Sequence, residues 1–380
     1  MKPQSIAGRD ALTGQSILIT MDNGCIQRID AGPPEPAIWI SPGFVDLQVN
    51  GYGGCDLNAD TVDCDVVIEL VARMMATGTT RFVPTIITAS TEKIIMALKA
   101  VAQARRASAL AAHAIPYVHL EGPYISPEKG ARGAHPCGDV RRPNCAEFEQ
   151  WQAESGNLVG MITVSPHWDN ALEFIDFAAR RGVLVAIGHT HATAERLHAA
   201  AAAGAVLSTH LGNGIATLLP RHPNPIWAQL ADDRLTATFI ADGHHLPADT
   251  LKTMLRAKGI DRSILVSDSV ALGGMPPGTY RTAIGGQVEL SANGRLCIAN
   301  KEILAGSALP LRDGIARAVS SRTCALSEAI RMVTENPGRF VGEQRVLRPG
   351  AKSDLVSFTF DPEAISLQLE RVLVGGQELQ

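Results

Sequence analysis

The chain has 380 residues, 46% of them hydrophobic and 19% charged, with a formal net charge of −4. That length fits two domains, or one large α/β unit with an appendage, and supports a sizeable core without disulfides. The apolar content excludes a disordered chain, and the slight acidity argues against nucleic acid, whose binders carry a strong basic excess.

The first forty residues read as short strands with turns. SILITMDNGCIQRID is two β-type runs joined by a DNG turn signal. GPPEPAIWISPG is a Pro/Gly-rich hinge. From Leu347 onward, LRPGAKSDLVSFTF and ISLQLERVLVGGQEL alternate apolar and polar residues around turns. The two ends are expected to pair into one small β-sandwich domain, residues 1–41 plus 346–380, with the middle, 42–345, inserted between them.

The middle alternates β-branched runs with helical patterns. FVDLQV precedes a helix at 62–76, TRFVPT one at 91–110, and IPYVHL one at 144–154. LVGMITV precedes 169–181 and VLVAIG precedes 192–203. AVLST, LTATFIA and SILVS follow, with further helices at 247–257, 307–319 and 326–335. Eight βα units predict an α/β fold, a closed (β/α)8 TIM-type barrel rather than an open sheet.

In such a barrel the active site lies at the C-terminal ends of the strands. Gln48 and Asn50 close the first strand, Glu121 the third, His189 the fifth and His210 the sixth. The seventh runs into Asp242, His244 and His245, and the eighth ends at Asp268. Glu121, His189 and His210 make a one-carboxylate, two-imidazole set suited to a catalytic zinc with a fourth position left for water. Asp268 beside such a centre is the expected general base, and afterwards the acid for a departing amine. The first strand offers amides where a second metal would need imidazoles. The fourth strand is followed by VSPHW, with no lysine to bridge two ions. One divalent metal per chain is therefore expected, zinc before iron, manganese or cobalt.

The seven cysteines (Cys25, Cys55, Cys64, Cys137, Cys145, Cys297, Cys324) are scattered without a CxxC pair, as for free thiols. No apolar run reaches bilayer length, and the start, MKPQSIAGRDALTG, lacks a signal-peptide pattern. No membrane partner and a cytoplasmic location are expected.

The segments PGFVDLQVNGYGG, HLEGPYISPEKGARGAHP, IGHTHA, THLGNG, IADGHH, LVSDSV and LAGSAL resemble, in order, those of the N-acetylglucosamine-6-phosphate deacetylase family of the amidohydrolase superfamily. The resemblance runs from Pro42 to Gly342. It implies the terminal β domain, and metal ligands at Glu121, His189 and His210. It implies a catalytic aspartate at Asp268 and a carbonyl-polarising histidine at His135. Sugar and phosphate contacts are implied at Ala134, Asn213, Gly214, Arg221 and His245. In the family, the arginine corresponding to Arg221 reaches the neighbouring subunit's site, so a homodimer is implied as well. The Gln-x-Asn variant of the first strand is found among single-metal members. His244, His191 and His167 are read as structural.

Three segments depart from the family pattern. His210-Leu211 is followed by Gly212-Asn213-Gly214 rather than an aromatic and Asn-Ala. The turn before His135 is longer, and TLLPRHPNPIW replaces a segment ending in Arg-Glu-Pro-Gly. All three fall where a sugar phosphate would bind. The resemblance implies hydrolysis of the acetamide of an N-acetyl amino-sugar 6-phosphate. A cyclic amide or an N-acyl amino acid on the same scaffold is the alternative. A non-catalytic binding protein would be expected to lack part of the Glu121/Asp268 set.

Overall fold

The computed structural model describes residues 4–282 and 285–379. The outermost positions of the expected terminal β domain, 1–3 and 380, lie outside the described residues. Eight parallel strands form the central sheet: Phe44–Val49, Thr79–Ile87, Val118–Glu121, Val159–Val164, Leu184–Ile187, Ala205–Ser208, Thr236–Ile240 and Ser263–Val266. Each pairs with its chain neighbour, so spatial order follows sequence order. The first and eighth meet through a bridge between Val49 and Ser269, which brings the sheet round into a barrel. These are the eight strands read from the sequence, and we refer to them by barrel position. Val45, Leu47, Val83, Met161, Ala186, Leu207, Ile240 and Ile264 form one buried cluster drawn from seven of the eight.

The surrounding helices start and stop where local chemistry dictates. Asp63 accepts from the N–H groups of Asp65 and Val66, capping the helix Cys64–Ala76. The helix expected over 91–110 is two helices, Thr91–Ala107 and Ala109–Ala114. Ser108 divides them: it is extended, and its hydroxyl accepts from Ala111 N and so starts the second. The helix expected over 307–319 begins only at Leu311, because Ser307 instead bridges to Ser269. The helix expected over 326–335 ends at Val333, and Thr334 leads into a short turn of helix, Glu335–Gly338. A short helix that the sequence reading omitted, Pro225–Ala231, is capped by Asn224 and starts on a proline.

The eighth strand is followed by an insertion. Gly278–Thr282, Gly286–Leu290 and Leu296–Ile298 form a three-stranded antiparallel sheet. It has its own apolar cluster of Leu272, Val288, Leu290, Leu296, Ala305 and Ala308. The loop after its last strand carries Glu302, Ile303 and Leu304 to the mouth of the barrel cavity.

The two chain ends form one seven-stranded sheet, as their alternating pattern predicted. Trp39–Pro42 joins them, pairing in parallel with Gln4–Asp10 and antiparallel with Leu355–Asp361. Ile19, Ile26, Ile40 and Leu373 lie in its buried core. Asp354, just before the strand Leu355–Asp361, accepts from Arg345 Nη1 at 2.9 Å and Gly375 N at 2.8 Å, and lies 2.8 Å from His113 Nε2. All seven cysteines are unbridged. Among the described residues, no helix is long and apolar enough to cross a membrane.

Candidate active site

The C-terminal ends of the barrel strands surround a cavity of about 290 Å³. Glu121, His135, His189, His210, Asn213, Gly214, His245 and Asp268 all line it, as do Ala134 and Asn50. Of the residues expected from the sequence to bind or react, only Arg221 does not. It is exposed on the loop that continues from Asn213 and Gly214.

Three of the lining residues converge on one point. Glu121 Oε1 lies 3.1 Å from His189 Nε2 and 2.8 Å from His210 Nε2, and the two Nε2 atoms are 3.1 Å apart. The opposite nitrogen of His189, Nδ1, is 2.9 Å from the carbonyl of Ala131 and must donate to it. With Nδ1 committed to that carbonyl, His189 turns its Nε2 toward a carboxylate oxygen and a second imidazole nitrogen. Lone pairs so arranged repel unless a cation lies among them, and carbonyl-anchored imidazoles are the usual partners of a metal. Glu121, His189 and His210 also form the candidate metal cluster found among the described residues, all three buried. Burial alone would raise the Glu121 carboxyl and lower His210. Their mutual contact prevails, holding Glu121 well below its usual range and lifting His210. The donor set suits a divalent ion with nitrogen and oxygen ligands.

The carboxylates are themselves held. Gln48 Nε2 donates to Glu121 Oε1 at 2.8 Å, and Asn50 Nδ2 donates to Asp268 Oδ1 at 2.8 Å. The two amides that the sequence marked as poor second-metal ligands thus orient the acid groups of the site. Burial, reinforced by the Glu121 charge, pushes the Asp268 carboxyl up to about 6. Burial and the neighbouring His189 press His135 well below its usual range, so its ring is neutral. His135 Nδ1 lies 2.9 Å from the Thr88 hydroxyl. A Thr88 proton donated there would put the one imidazole proton on Nε2, which lies 3.9 Å from Glu121 Oε2. Thr88 went unnoticed in the sequence, where nothing distinguishes it from other strand-end threonines.

Asp242 was noted at its strand end without a role. Its Oδ1 accepts from the N–H groups of His244 and His245, and its Oδ2 lies 2.7 Å from His245 Nδ1. Burial opposes the Asp242 charge, but the His245 contact outweighs it and holds the carboxyl low. His245 therefore presents its Nε2 side away from Asp242. His244, His191 and His167 have structural partners: the Asn293 carbonyl, the Ser126 hydroxyl and the Ser165 hydroxyl.

Backbone strain collects at this site. His189, His210 and Asp268 have φ of 45°, 27° and 51°, in the left-handed region that residues other than glycine rarely occupy. Gly214 has φ of 56°, and a Cβ there would stand 2.8 Å from His189 Nδ1. Gly214, one of the two glycines that depart from the family pattern, thus leaves room for the close approach of the His189 ring.

Residues 39–379 match the model of the amidohydrolase family. N-acetylglucosamine-6-phosphate deacetylase of Bacillus subtilis is 31% identical over 332 residues, 86% of this chain and 82% of that one. The chain belongs to the amidohydrolase family, in its N-acetylglucosamine-6-phosphate deacetylase branch. N-acetylgalactosamine-6-phosphate deacetylase of Escherichia coli O157:H7 is also 31% identical, over 89% of this chain and 87% of that one. A solved structure of the Mycobacterium smegmatis N-acetyl-D-glucosamine-6-phosphate deacetylase superposes with a TM-score of 0.86 at 30% identity, covering 99% of both chains. That structure is of an aspartate-to-alanine variant in complex with N-acetyl-D-glucosamine-6-phosphate.

Proposed function

We propose that this enzyme hydrolyses the acetamide of N-acetylglucosamine 6-phosphate, or of a close amino-sugar phosphate, to the amino-sugar phosphate and acetate. The observation that carries the reading is the convergence of Glu121, His189 and His210 in the same cavity as Asp268 and a neutral His135. The family relationship supplies the substrate class.

A divalent ion held by Glu121, His189 and His210, zinc by the donor set, would polarise the acetyl carbonyl and acidify a water. Asp268 is placed to take a proton from the attacking water as the water oxygen bonds to the acetyl carbon, then to deliver it to the leaving nitrogen as the C–N bond breaks and acetate departs. A carboxyl pushed up to about 6 is suited to both duties. His135 Nε2–H donates to the oxygen that gains charge as the carbonyl becomes tetrahedral. Gln48 and Asn50 keep the two carboxylates in place during these transfers.

A phosphate in this cavity is read as completed from outside the chain. Among the described residues no Lys or Arg lines the cavity, while Glu121, Asp268 and Glu302 do. Asn213, Gly214 and His245 offer donors, but a dianion is better matched by a guanidinium fork. Arg221 is exposed, between Leu218 at 89% exposure and Trp227 at 48%. Exposed apolar residues flanking a cation are suited to a protein partner. We read this loop as part of a homodimer contact, with Arg221 of the partner subunit serving the phosphate.

The same absence of cationic lining residues favours a second reading, an unphosphorylated N-acyl substrate. Acetate release measured across N-acetylglucosamine 6-phosphate, N-acetylgalactosamine 6-phosphate, their unphosphorylated sugars and N-acetyl amino acids separates the two. Selective turnover of the phosphorylated sugars is expected. Equal turnover of plain N-acetylglucosamine would overturn the phosphate assignment.

A further inference from the structure

Asp46 is completely buried in the first barrel strand, is absent from the cavity lining, and takes no part in the chemistry above. Burying a carboxyl is costly, and its Oδ2 has no hydrogen-bond partner. Its other oxygen is engaged twice: Asp46 Oδ1 accepts from Gln48 N at 3.2 Å and from Ser267 N, just past the eighth strand, at 3.1 Å.

The first of these contacts sits in a bulge. Asp46 lies opposite Phe82 and Val49 opposite Pro84, so two residues of the first strand face one of the second. A bulge of this kind removes ladder partners and re-aims side chains. The N–H groups it frees are taken up by side chains: Gln48 N by Asp46, and Val49 N by the Thr85 hydroxyl at 3.2 Å. The second contact ties the bulge to the seam of the barrel. There Asp268 N donates to Gln48 O at 3.1 Å and Asn50 N to Ser269 O at 2.8 Å. The residues the bulge redirects are Gln48, which holds Glu121, and Asn50, which holds Asp268.

We propose that Asp46 is a positioning residue. One carboxyl oxygen fixes the bulge of the first barrel strand against the end of the eighth, and so aims Gln48 at Glu121 and Asn50 at Asp268. The proposal rests on the deacetylase reading for its kinetic consequences and on geometry alone for its structural ones.

The test compares Asp46→Ala and Asp46→Asn in the full chain. Asparagine keeps one acceptor oxygen in the same place, and alanine keeps none. Asp46→Ala is expected to lower kcat about 10-fold or more while KM and zinc content stay within about 2-fold, as for misplaced catalytic groups. Asp46→Asn is expected to stay within about 3-fold of the wild type. In the metal-free proteins, hydrogen–deuterium exchange should rise in peptides covering 46–50 and 266–270 for alanine and not for asparagine. If Asp46→Ala is insoluble, Asp46→Ser takes its place with the same expectations. Wild-type kcat in the alanine variant, unchanged exchange at both segments, or an asparagine variant as impaired as alanine would each overturn the proposal. A wild type that releases no acetate from any substrate sinks the deacetylase reading instead, and the exchange comparison still decides the role of Asp46.

Discussion

Asn50 and Asp268 stand 218 positions apart in sequence, yet the Asn50 amide donates to Asp268 Oδ1 at 2.8 Å. The first strand of the barrel thus fixes the rotamer of the carboxylate supplied by the last. A hydrogen bond to a charged group is worth about 1.5–3 kcal/mol. Asn50→Ala should therefore lower kcat about 10- to 100-fold while zinc, held by other residues, stays bound. Steady-state kinetics with metal analysis of the same sample checks both. An Asn50→Ala enzyme with normal kcat would show that Asp268 needs no such anchor.

Metal content should be near one per chain, because Gln48 and Asn50 stand where a second ion would need imidazoles, amides are poor zinc ligands, and the NH2 groups of both are committed to Glu121 and Asp268. His189→Ala and Glu121→Ala should lose metal and activity together. Removing metal with a chelator should abolish turnover, and zinc should restore it. Elemental analysis finding two tightly held ions, or activity in metal-free protein, would contradict this.

Asp268→Asn should retain metal and substrate binding while losing about 100-fold or more in kcat. The pH dependence follows from the state of the base. Burial, with Glu121 beside it, raises Asp268 to about 6, and only the ionised carboxylate can accept a proton. Activity is therefore full above that value and falls as the pH drops through it. A bound cation stabilises the carboxylate and moves the acid limb lower. The acid limb of kcat/KM should have an apparent pKa at or below about 6.

Much of this was legible in the sequence, because the barrel repeats one physical pattern. Short β-branched runs marked all eight strands, and placing polar residues at their C-terminal ends gathered Glu121, His189, His210 and Asp268. The helix Pro225–Ala231 is too short for its periodicity to show. The inserted sheet does carry a signal, VEL-SANG-RLCI, two apolar-alternating runs around a turn. Asp46 and Thr88 were out of reach. Their places come from a bulge and from a contact with the His135 ring, and neither leaves a trace in residue type. Gln48 and Asn50 were noticed only as residues that are not histidine.

The terminal sheet gives a stability prediction. Asp354 is buried against Arg345 and His113. Burial opposes its charge, but these partners prevail and hold its carboxyl down at about 2, against 3.8 for a free aspartate. A depressed folded-state value means that the contribution is complete above about pH 4 and is lost as the pH falls toward 2. Asp354→Asn leaves Arg345 without this partner and should cost about 3 kcal/mol at pH 7. Urea unfolding at pH 7 and near pH 2.5 should show the gap between variant and wild type narrowing at the lower pH. A constant gap would mean that Asp354 acts through packing alone.

The last prediction concerns Arg221. Its side chain is exposed on a loop whose other end, Asn213-Gly214, lines the cavity, and no Lys or Arg among the described residues lines that cavity. If Arg221 of one subunit completes the other's phosphate site, Arg221→Ala should raise KM for the 6-phosphorylated sugar by about 10-fold or more, the scale of one lost charge-assisted contact. Turnover of the unphosphorylated sugar should hardly change. Mixing separates a partner's arginine from a chain's own. Arg221→Ala is weak because its sites lack the guanidinium, and Asp268→Asn is inactive because its sites lack the base. Subunits exchanged between the two should form hybrid dimers with one restored site, where an intact base meets an intact arginine from the other chain. Recovered low-KM activity on mixing, with a dimer by sedimentation, is the expected outcome. A monomer, or no recovery after proven subunit exchange, would return Arg221 to its own chain or to a surface role.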